Sequence, residues 1–237
     1  MNKNIYSSIL LLFILVFGCS SDESIQNPVQ QEEDQIEEIQ KFSFLALGDS
    51  YTIGQGVTES ESWPFQLQNA FASNTQKIET VKVIAQTGWT TGNLISAIDT
   101  QNPENYDIVS LLIGVNNQFQ GADFTIFQSE FNFLLDKAIS LAGNNKNRVF
   151  VVSIPDYGVT PFGSNNSEVI ASEIDMYNAY IKQQCEAQSI PFIDVTSISR
   201  NLGNSEGALA TDNLHPSANQ YSLWVEAILP VVKEILE

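Results

Sequence analysis

Five short apolar runs, separated by longer stretches with helical spacing, constrain this chain more than anything else in it. The first, residues 42–47, reads Phe-Ser-Phe-Leu-Ala-Leu and stops at Gly48, as a strand buried on both faces would. Similar runs occupy 81–85, 108–113, 148–154 and 192–195. Between them, 124–141, 168–188 and 217–236 carry apolar residues at helical spacing, and Pro64 fits the first turn of a further helix over 63–71. Strand alternating with helix in this way predicts a three-layer α/β/α domain around a five-stranded parallel sheet. The 237 residues suit one such domain, expected over 41–237. Gly143-Asn144-Asn145 marks a helix stop before the fourth strand, and 165–167 reads as a polar loop.

Sheets of this kind bind ligands outside the carboxyl ends of their strands. Four groups of chemically capable residues fall there: Gly48-Asp49-Ser50-Tyr51 after the first strand, Thr87-Gly88-Trp89 after the second, Gly114-Val115-Asn116-Asn117 after the third, and Asp212-Asn213-Leu214-His215-Pro216 before the last helix. Each alone is an ordinary turn sequence. Their order and their placement at strand ends carry the weight. Together they resemble the blocks of the SGNH (GDSL-like) hydrolase family, whose name lists the Ser, Gly, Asn and His found here as Ser50, Gly88, Asn116 and His215. The resemblance covers roughly 41–236 and implies a flavodoxin-like fold and ester hydrolysis. At one place the chain departs from it. Many members carry Asp after the third-block Asn, where this chain has Asn117, which keeps size and hydrogen-bonding capacity but loses the charge.

The residues also make a chemical case of their own. A serine hydroxyl is a weak nucleophile until a neighbouring base takes its proton, and imidazole suits that task at neutral pH. His215 is the only histidine in the chain, so a histidine-dependent serine hydrolase has no other choice of base. Asp212, three residues earlier, can reach Nδ1 of His215 across a tight turn and fix its tautomer. Asp194, at the end of the fifth strand, is the competing orienter. Pro216 biases His215 towards extended backbone and lets the next helix start behind it. A tetrahedral intermediate needs donors aimed at its oxyanion, and the backbone N–H groups of Ser50 and Gly88 with the side-chain amide of Asn116 are the candidates. The expected reaction is acyl transfer through acyl-Ser50, with no cofactor required. One histidine and no cysteine cluster leave little from which to build a zinc site.

The first residues add an address. Lys3, an apolar run over 9–17 and then Gly18-Cys19 read as a signal peptide over 1–18, too short to span a bilayer. Val16-Phe17-Gly18-Cys19 resembles the lipobox of bacterial lipoproteins, which implies lipidation at Cys19. Residues 19–40 are rich in Ser, Gln, Asp and Glu and predict a disordered acidic tether. The Ser-Ser-Asp-Glu after Cys19 resembles the export signal of surface lipoproteins in Bacteroidetes, with a plain solvated spacer as the alternative. The expected location is thus the bacterial cell envelope, lipid-anchored at the outer membrane. With Cys19 acylated, Cys185 has nothing to pair with and reads as a packing residue. A net charge of −18 argues against nucleic acid as a partner and leaves the lipid as the only membrane contact. The protein is expected to be a monomer.

Aromatics near the expected mouth, namely Trp63, Trp89, Phe119, Tyr157 and Phe162, could stack on a sugar, line an acyl pocket or cap the core. The Pro- and Gly-containing segment 155–164 is a candidate substrate loop. With no long apolar lid in the sequence, a short-acyl ester or an acetylated carbohydrate ranks ahead of a lysophospholipid. Two other classes remain open: a catalytically silent carbohydrate-binding lipoprotein, and a structural envelope protein in which the four blocks are turns.

Overall fold

The computed structural model describes residues 38–237. The expected signal peptide, Cys19 and the tether up to residue 37 lie outside the described residues. Five strands, β1 (Gln40–Gly48), β2 (Gln76–Ala85), β3 (Ile108–Leu112), β4 (Val149–Val152) and β5 (Phe192–Ile193), form one sheet in the order β2-β1-β3-β4-β5. Every neighbouring pair is parallel. The helices are α1 (Ser50–Ile53), α2 (Trp63–Phe71), α3 (Thr91–Gln101), α4 (Val115–Phe119), α5 (Phe124–Leu141), α6 (Ser167–Gln188), α7 (Thr196–Leu202) and α8 (Ala218–Leu236). Helix α2 packs on α8, while α3 packs on α5, which meets α6. This is the three-layer parallel architecture that the alternation of runs predicts, in the flavodoxin-like strand order that the family resemblance implies.

All five apolar runs are strands, and the departures lie at their edges. β2 starts five residues before its run, because an edge strand needs only one buried face: Lys77 and Glu79 look outward and pair at 3.3 Å, with Lys41 reaching Glu79 at 2.8 Å. β5 keeps only two residues, since Asp194 turns to accept from the Thr196 and Ser197 N–H groups and so starts α7. Helix α3 is absent from the sequence-based expectation. Its start is a reciprocal Thr90/Asn93 cap rather than the usual Ser/Thr with Glu/Gln, and its buried face amounts to Thr91, Leu94 and Ile98. Residues 165–167 are a 3-10 turn running into α6 rather than an open loop.

The core centres on β1, β3 and β4. Phe44 of β1 is fully buried, stacked on Phe150 of β4 at 6.0 Å between ring centroids and tilted on Trp63 of α2 at 5.9 Å. Trp63, an expected mouth aromatic, is therefore a core residue with no exposed surface. Connections leave β1 towards β2 and β3 towards β4, in opposite directions along the sheet. The carboxyl ends of β1 and β3 thus flank the crevice that forms wherever strand order reverses.

One cost accompanies this arrangement. Asp49, the residue after β1, is fully buried, and its Oδ1 accepts from the Tyr51 N–H at 3.0 Å while Oδ2 has no hydrogen-bond partner among the described residues. Burial pushes its carboxyl up from 3.8 to about 7, against the opposing pull of the Tyr51 N–H. Between those two values the folded chain keeps a proton that the unfolded chain has released, so this group lowers stability as pH rises through that window and no further above it.

Two outcomes are expected. Phe44→Ala lowers unfolding free energy by about 3 to 5 kcal/mol, read by urea denaturation. Asp49→Asn changes stability relative to the native protein in a pH-dependent way: its advantage grows between about pH 4 and pH 7, by on the order of 1 kcal/mol per pH unit, and is flat above. A constant difference across that range would show that Asp49 keeps its ordinary acidity.

Candidate active site

Because β1 is pinned on both edges by β2 and β3, the residue that follows its end is held in place. Asp49 caps α1, and Ser50 is the first residue of that helix, at 4% exposure. Its hydroxyl makes no hydrogen bond among the described residues and stands in the wall of a pocket. That wall consists of Ser50, Tyr51, Thr87, Gly88, Val115, Asn116, Phe119, Tyr157, Phe162, Leu214 and His215. Three of the four sequence blocks therefore meet in one cavity with the histidine of the fourth.

His215 is placed by a short hairpin. The Ala210 N–H donates to the His215 carbonyl at 2.8 Å, the Ser217 N–H donates to the Ala208 carbonyl at 3.0 Å, and Asn213 turns the chain in the left-handed region at φ 58°. Asn is among the residues that tolerate that conformation. Inside the turn, Oδ1 of Asp212 accepts from the N–H groups of Leu214 and His215, each at 3.0 Å. Its Oδ2 lies 2.6 Å from Nδ1 of His215. A carboxylate facing Nδ1 places the proton there and leaves Nε2 as the free acceptor. Partial burial works against the Asp212 anion, but the bonds from His215 and Leu214 prevail and hold its carboxyl below the ordinary value. The ring of Tyr51, itself buried, packs on the imidazole at 5.6 Å between centroids. Asp194, the competing orienter, is occupied elsewhere at the start of α7 and by Ser153.

The remaining two blocks face each other across the pocket. Gly88 has φ 85°, a region strained for any side chain, and a Cβ built on it would meet nothing within 4 Å. Backbone conformation therefore selects glycine here, and the open side leaves its backbone approachable. From α4, Nδ2 of Asn116 donates to the Trp89 carbonyl at 2.9 Å. An amide nitrogen carries two hydrogens, so this bond fixes the plane of the group and leaves the second N–H for another acceptor. Trp89 serves through that carbonyl and packs half-buried against the core; it is not part of the pocket wall.

Phe119, Tyr157 and Phe162 do line the pocket, with neighbouring ring centroids 5.7 to 6.3 Å apart. Phe119 and Phe162 are 55% exposed. The same three rings border a second, wider groove whose other walls include Gln118, Asn165, Asn166, Val169 and Glu173. At its floor the Tyr157 hydroxyl donates to Oε1 of Gln118 at 2.9 Å, and Nε2 of Gln118 donates to Glu173 at 2.7 Å. Sequence reading missed this chain and the Tyr51 contact. Tyr51 adjoins Ser50 and could have been suspected; Gln118 and Glu173 lie 55 positions apart with no local signal. Cys185 is buried in α6, and burial raises its thiol to about 12, which keeps it unreactive.

Chemically, the pocket gathers a free hydroxyl, an imidazole whose tautomer is fixed by a carboxylate, and N–H groups on two sides. The GDSL-like lipase/acylhydrolase family model matches residues 46–223, most of the described domain. No match was found among curated proteins. Three similar solved structures are the extracellular lipase of Streptomyces rimosus, the psychrotrophic esterase EstA of Pseudoalteromonas sp. and the acetyl xylan esterase AlAXEase. The lipase is 19% identical with a TM-score of 0.62, over 81% of this chain and 99% of that one. EstA is 18% identical with a TM-score of 0.58, over 82% and 98%. The acetyl xylan esterase is 18% identical with a TM-score of 0.61, over 80% and 99%. At such identities these likenesses concern the fold, and it is the family match over the four blocks that makes this chain a member of the GDSL-like lipase/acylhydrolase (SGNH hydrolase) family.

Proposed function

We propose that the protein is a serine esterase in which Ser50 is the nucleophile, His215 its general base and Asp212 the group that orients His215. The reading is carried by one observation: the only histidine of the chain shares a pocket wall with Ser50 while its Nδ1 is held by Asp212 at 2.6 Å. Ser50 Oγ attacks the ester carbonyl as Nε2 takes its proton, and the tetrahedral oxyanion is received by the N–H groups of Ser50 and Gly88 and the free N–H of Asn116. The imidazolium then protonates the departing alkoxide. Water activated by the same nitrogen attacks the acyl-Ser50 carbonyl and releases the acid. Asp212, kept anionic by its donors, stabilises the imidazolium that forms midway.

The proposed substrate is a short-acyl ester, with an acetylated carbohydrate first. The pocket beside Ser50 encloses ≈ 130 Å³ between largely apolar walls, well under the roughly 300–1,000 Å³ typical of sites for larger ligands. That suits a small acyl group. The adjoining groove, ≈ 560 Å³, combines exposed aromatic faces with amide and carboxylate side chains. That mixture suits the alcohol side when it is a sugar, whose ring offers an apolar face and hydroxyls at once. The acetyl xylan esterase of similar fold is consistent with such a substrate. Cys19 is proposed to carry the lipid that holds the domain at the envelope, working on glycan outside it.

The test combines hydrolysis of p-nitrophenyl acetate with labelling by a fluorophosphonate probe. The native protein is expected to react in both assays, and Ser50→Ala in neither. Full activity in that variant would reject the mechanism. Asp212→Asn is expected to lower kcat by on the order of 10³- to 10⁴-fold, and Asp194→Asn to leave it nearly unchanged; the reverse result moves the orienting role to Asp194. Across acetyl to lauroyl esters with acetylated xylan included, activity is expected to fall with acyl length. A maximum at lauroyl would overturn the short-acyl assignment.

A further inference from the structure

Two of the three oxyanion donors proposed above, Gly88 and Asn116, come from different segments, the β2–α3 loop and α4, and something must hold those segments in register. Three side chains of α4 and its end reach across to the loop and to the first residue of α3. Asn116 donates to the Trp89 carbonyl at 2.9 Å, Gln120 donates to the Gly88 carbonyl at 3.4 Å, and between them Asn117 makes two bonds to Thr91. Oδ1 of Asn117 accepts from the Thr91 N–H at 3.0 Å, and its Nδ2 donates to Oγ1 of Thr91 at 2.7 Å. The Thr91 hydroxyl is also bonded to Oε2 of Glu130, on α5. Thr91 is fully buried and Asn117 is 2% exposed, so water does not substitute for the two bonds between them.

The direction of each proton in this chain is forced. A backbone N–H can only donate, so the amide oxygen of Asn117 must face the Thr91 nitrogen, and its NH2 must then face the Thr91 oxygen. That oxygen is thereby an acceptor towards Asn117. A hydroxyl has one proton to give, and it goes to Glu130. The polarity therefore runs from Asn117 through Thr91 to a carboxylate. A carboxylate at position 117 would break it: two acceptors would compete for one hydroxyl proton, and two negative charges would approach each other in a buried place. With an amide in place of the Glu130 carboxylate the polarity simply reverses, because the new amide nitrogen could donate to Thr91, and Thr91 could donate to the carboxylate introduced at position 117.

We propose that Asn117, Thr91 and Glu130 form a polarity-matched relay that positions the Gly88 and Asn116 donors, and that the residue types at 117 and 130 are coupled through the single proton of Thr91. These are positioning residues; none lines the pocket. The inference rests on the esterase reading above, because it concerns donors that act on the oxyanion.

A double-mutant cycle on p-nitrophenyl acetate tests it, with thermal midpoints measured alongside. Asn117→Asp is expected to lower kcat on the order of 10- to 100-fold while KM changes little, since displaced oxyanion donors are felt in the transition state. Glu130→Gln alone is expected to cost about threefold or less, the Thr91 hydroxyl still finding an amide oxygen. Combining the two is expected to restore kcat to near that of Glu130→Gln. A double variant no better than Asn117→Asp, or an Asn117→Asp protein with native kcat, overturns the relay. Should Asn117→Asp not fold, Thr91→Ser and Thr91→Ala read the same node: the first is expected to keep kcat and the second to lose it, and equal kcat in both overturns the proposal. Activity retained by Ser50→Ala would instead sink the esterase reading, which keeps the two failures distinct.

Discussion

β1 is hydrogen-bonded along both edges, to β2 and to β3, and its side chains from Phe44 to Leu47 are fully buried. A strand held in this way has no freedom to slide, because a one-residue slip would exchange its two faces. The point at which it ends is consequently among the best-fixed positions in the molecule. Asp49 and Ser50 stand at that point, and the hydroxyl reaches the pocket with no loop between it and the core. The imidazole is fixed differently, by a hairpin turn whose inside is filled by one carboxylate accepting three N–H groups. Rigid placement of one partner by a sheet and of the other by a cap-like turn gives a site that needs little reorganisation before chemistry.

The second consequence of a parallel sheet is that strand ends cluster. Residues far apart in sequence, such as Ser50 and Asn116, become neighbours because β1 and β3 are adjacent and end at the same level, Gly48 opposite Leu112. Helices then tie the clustered ends together. Asn116 and Gln120 reach the β2–α3 loop and Asn117 the first residue of α3, all from one short segment, and Glu130 holds the same junction from α5. This edge of the pocket is therefore a network of side-chain bonds, to backbone and to other side chains, laid over a hydrophobic sheet, and the sheet supplies the rigidity that those bonds use.

Much of this was legible before any coordinate. Buried strands announce themselves as uninterrupted apolar runs, so 42–47, 108–113 and 148–154 mark the centre of the sheet, and the three polar blocks at run ends, with the block before the last helix, meet in the wall of one pocket. Edges were harder to read. The first half of β2 mixes Lys, Glu and Thr with one buried Ile78 and carries no run. Helix α3 has a narrow apolar face and an unusual cap, so neither periodicity nor a start signal betrayed it. For Trp63 the sequence leaves mouth and core equally open, and the choice is made by Phe44 and Phe150, which draw its ring into the core. Asn117 could be read only as a lost charge. Its meaning lies in Thr91 and Glu130, and contacts 26 and 39 positions long leave no local trace.

The two aspartates of the site show how environment rather than residue type sets chemistry. Asp49 is buried with a single backbone donor, and its carboxyl is driven up to about 7; Asp212 has three donors and partial contact with water, and its carboxyl is held down. Asp212 accordingly supports folding above the ordinary carboxylate range and ceases to do so only in acid. Asp49 opposes folding increasingly towards neutrality. Both effects follow from placing polar groups at a strand end and beside the pocket, against the preference of the core for apolar atoms. In the proposed reaction, a carboxyl that tends to neutrality directly before Ser50 also spares that residue a second full negative charge, which would disfavour an oxyanion one residue away. The stability given up at Asp49 and the anion secured at Asp212 thus act in the same direction on the proposed reaction: negative charge is kept beside the imidazole, where that mechanism develops positive charge, and is weakened beside the serine, where it develops negative charge.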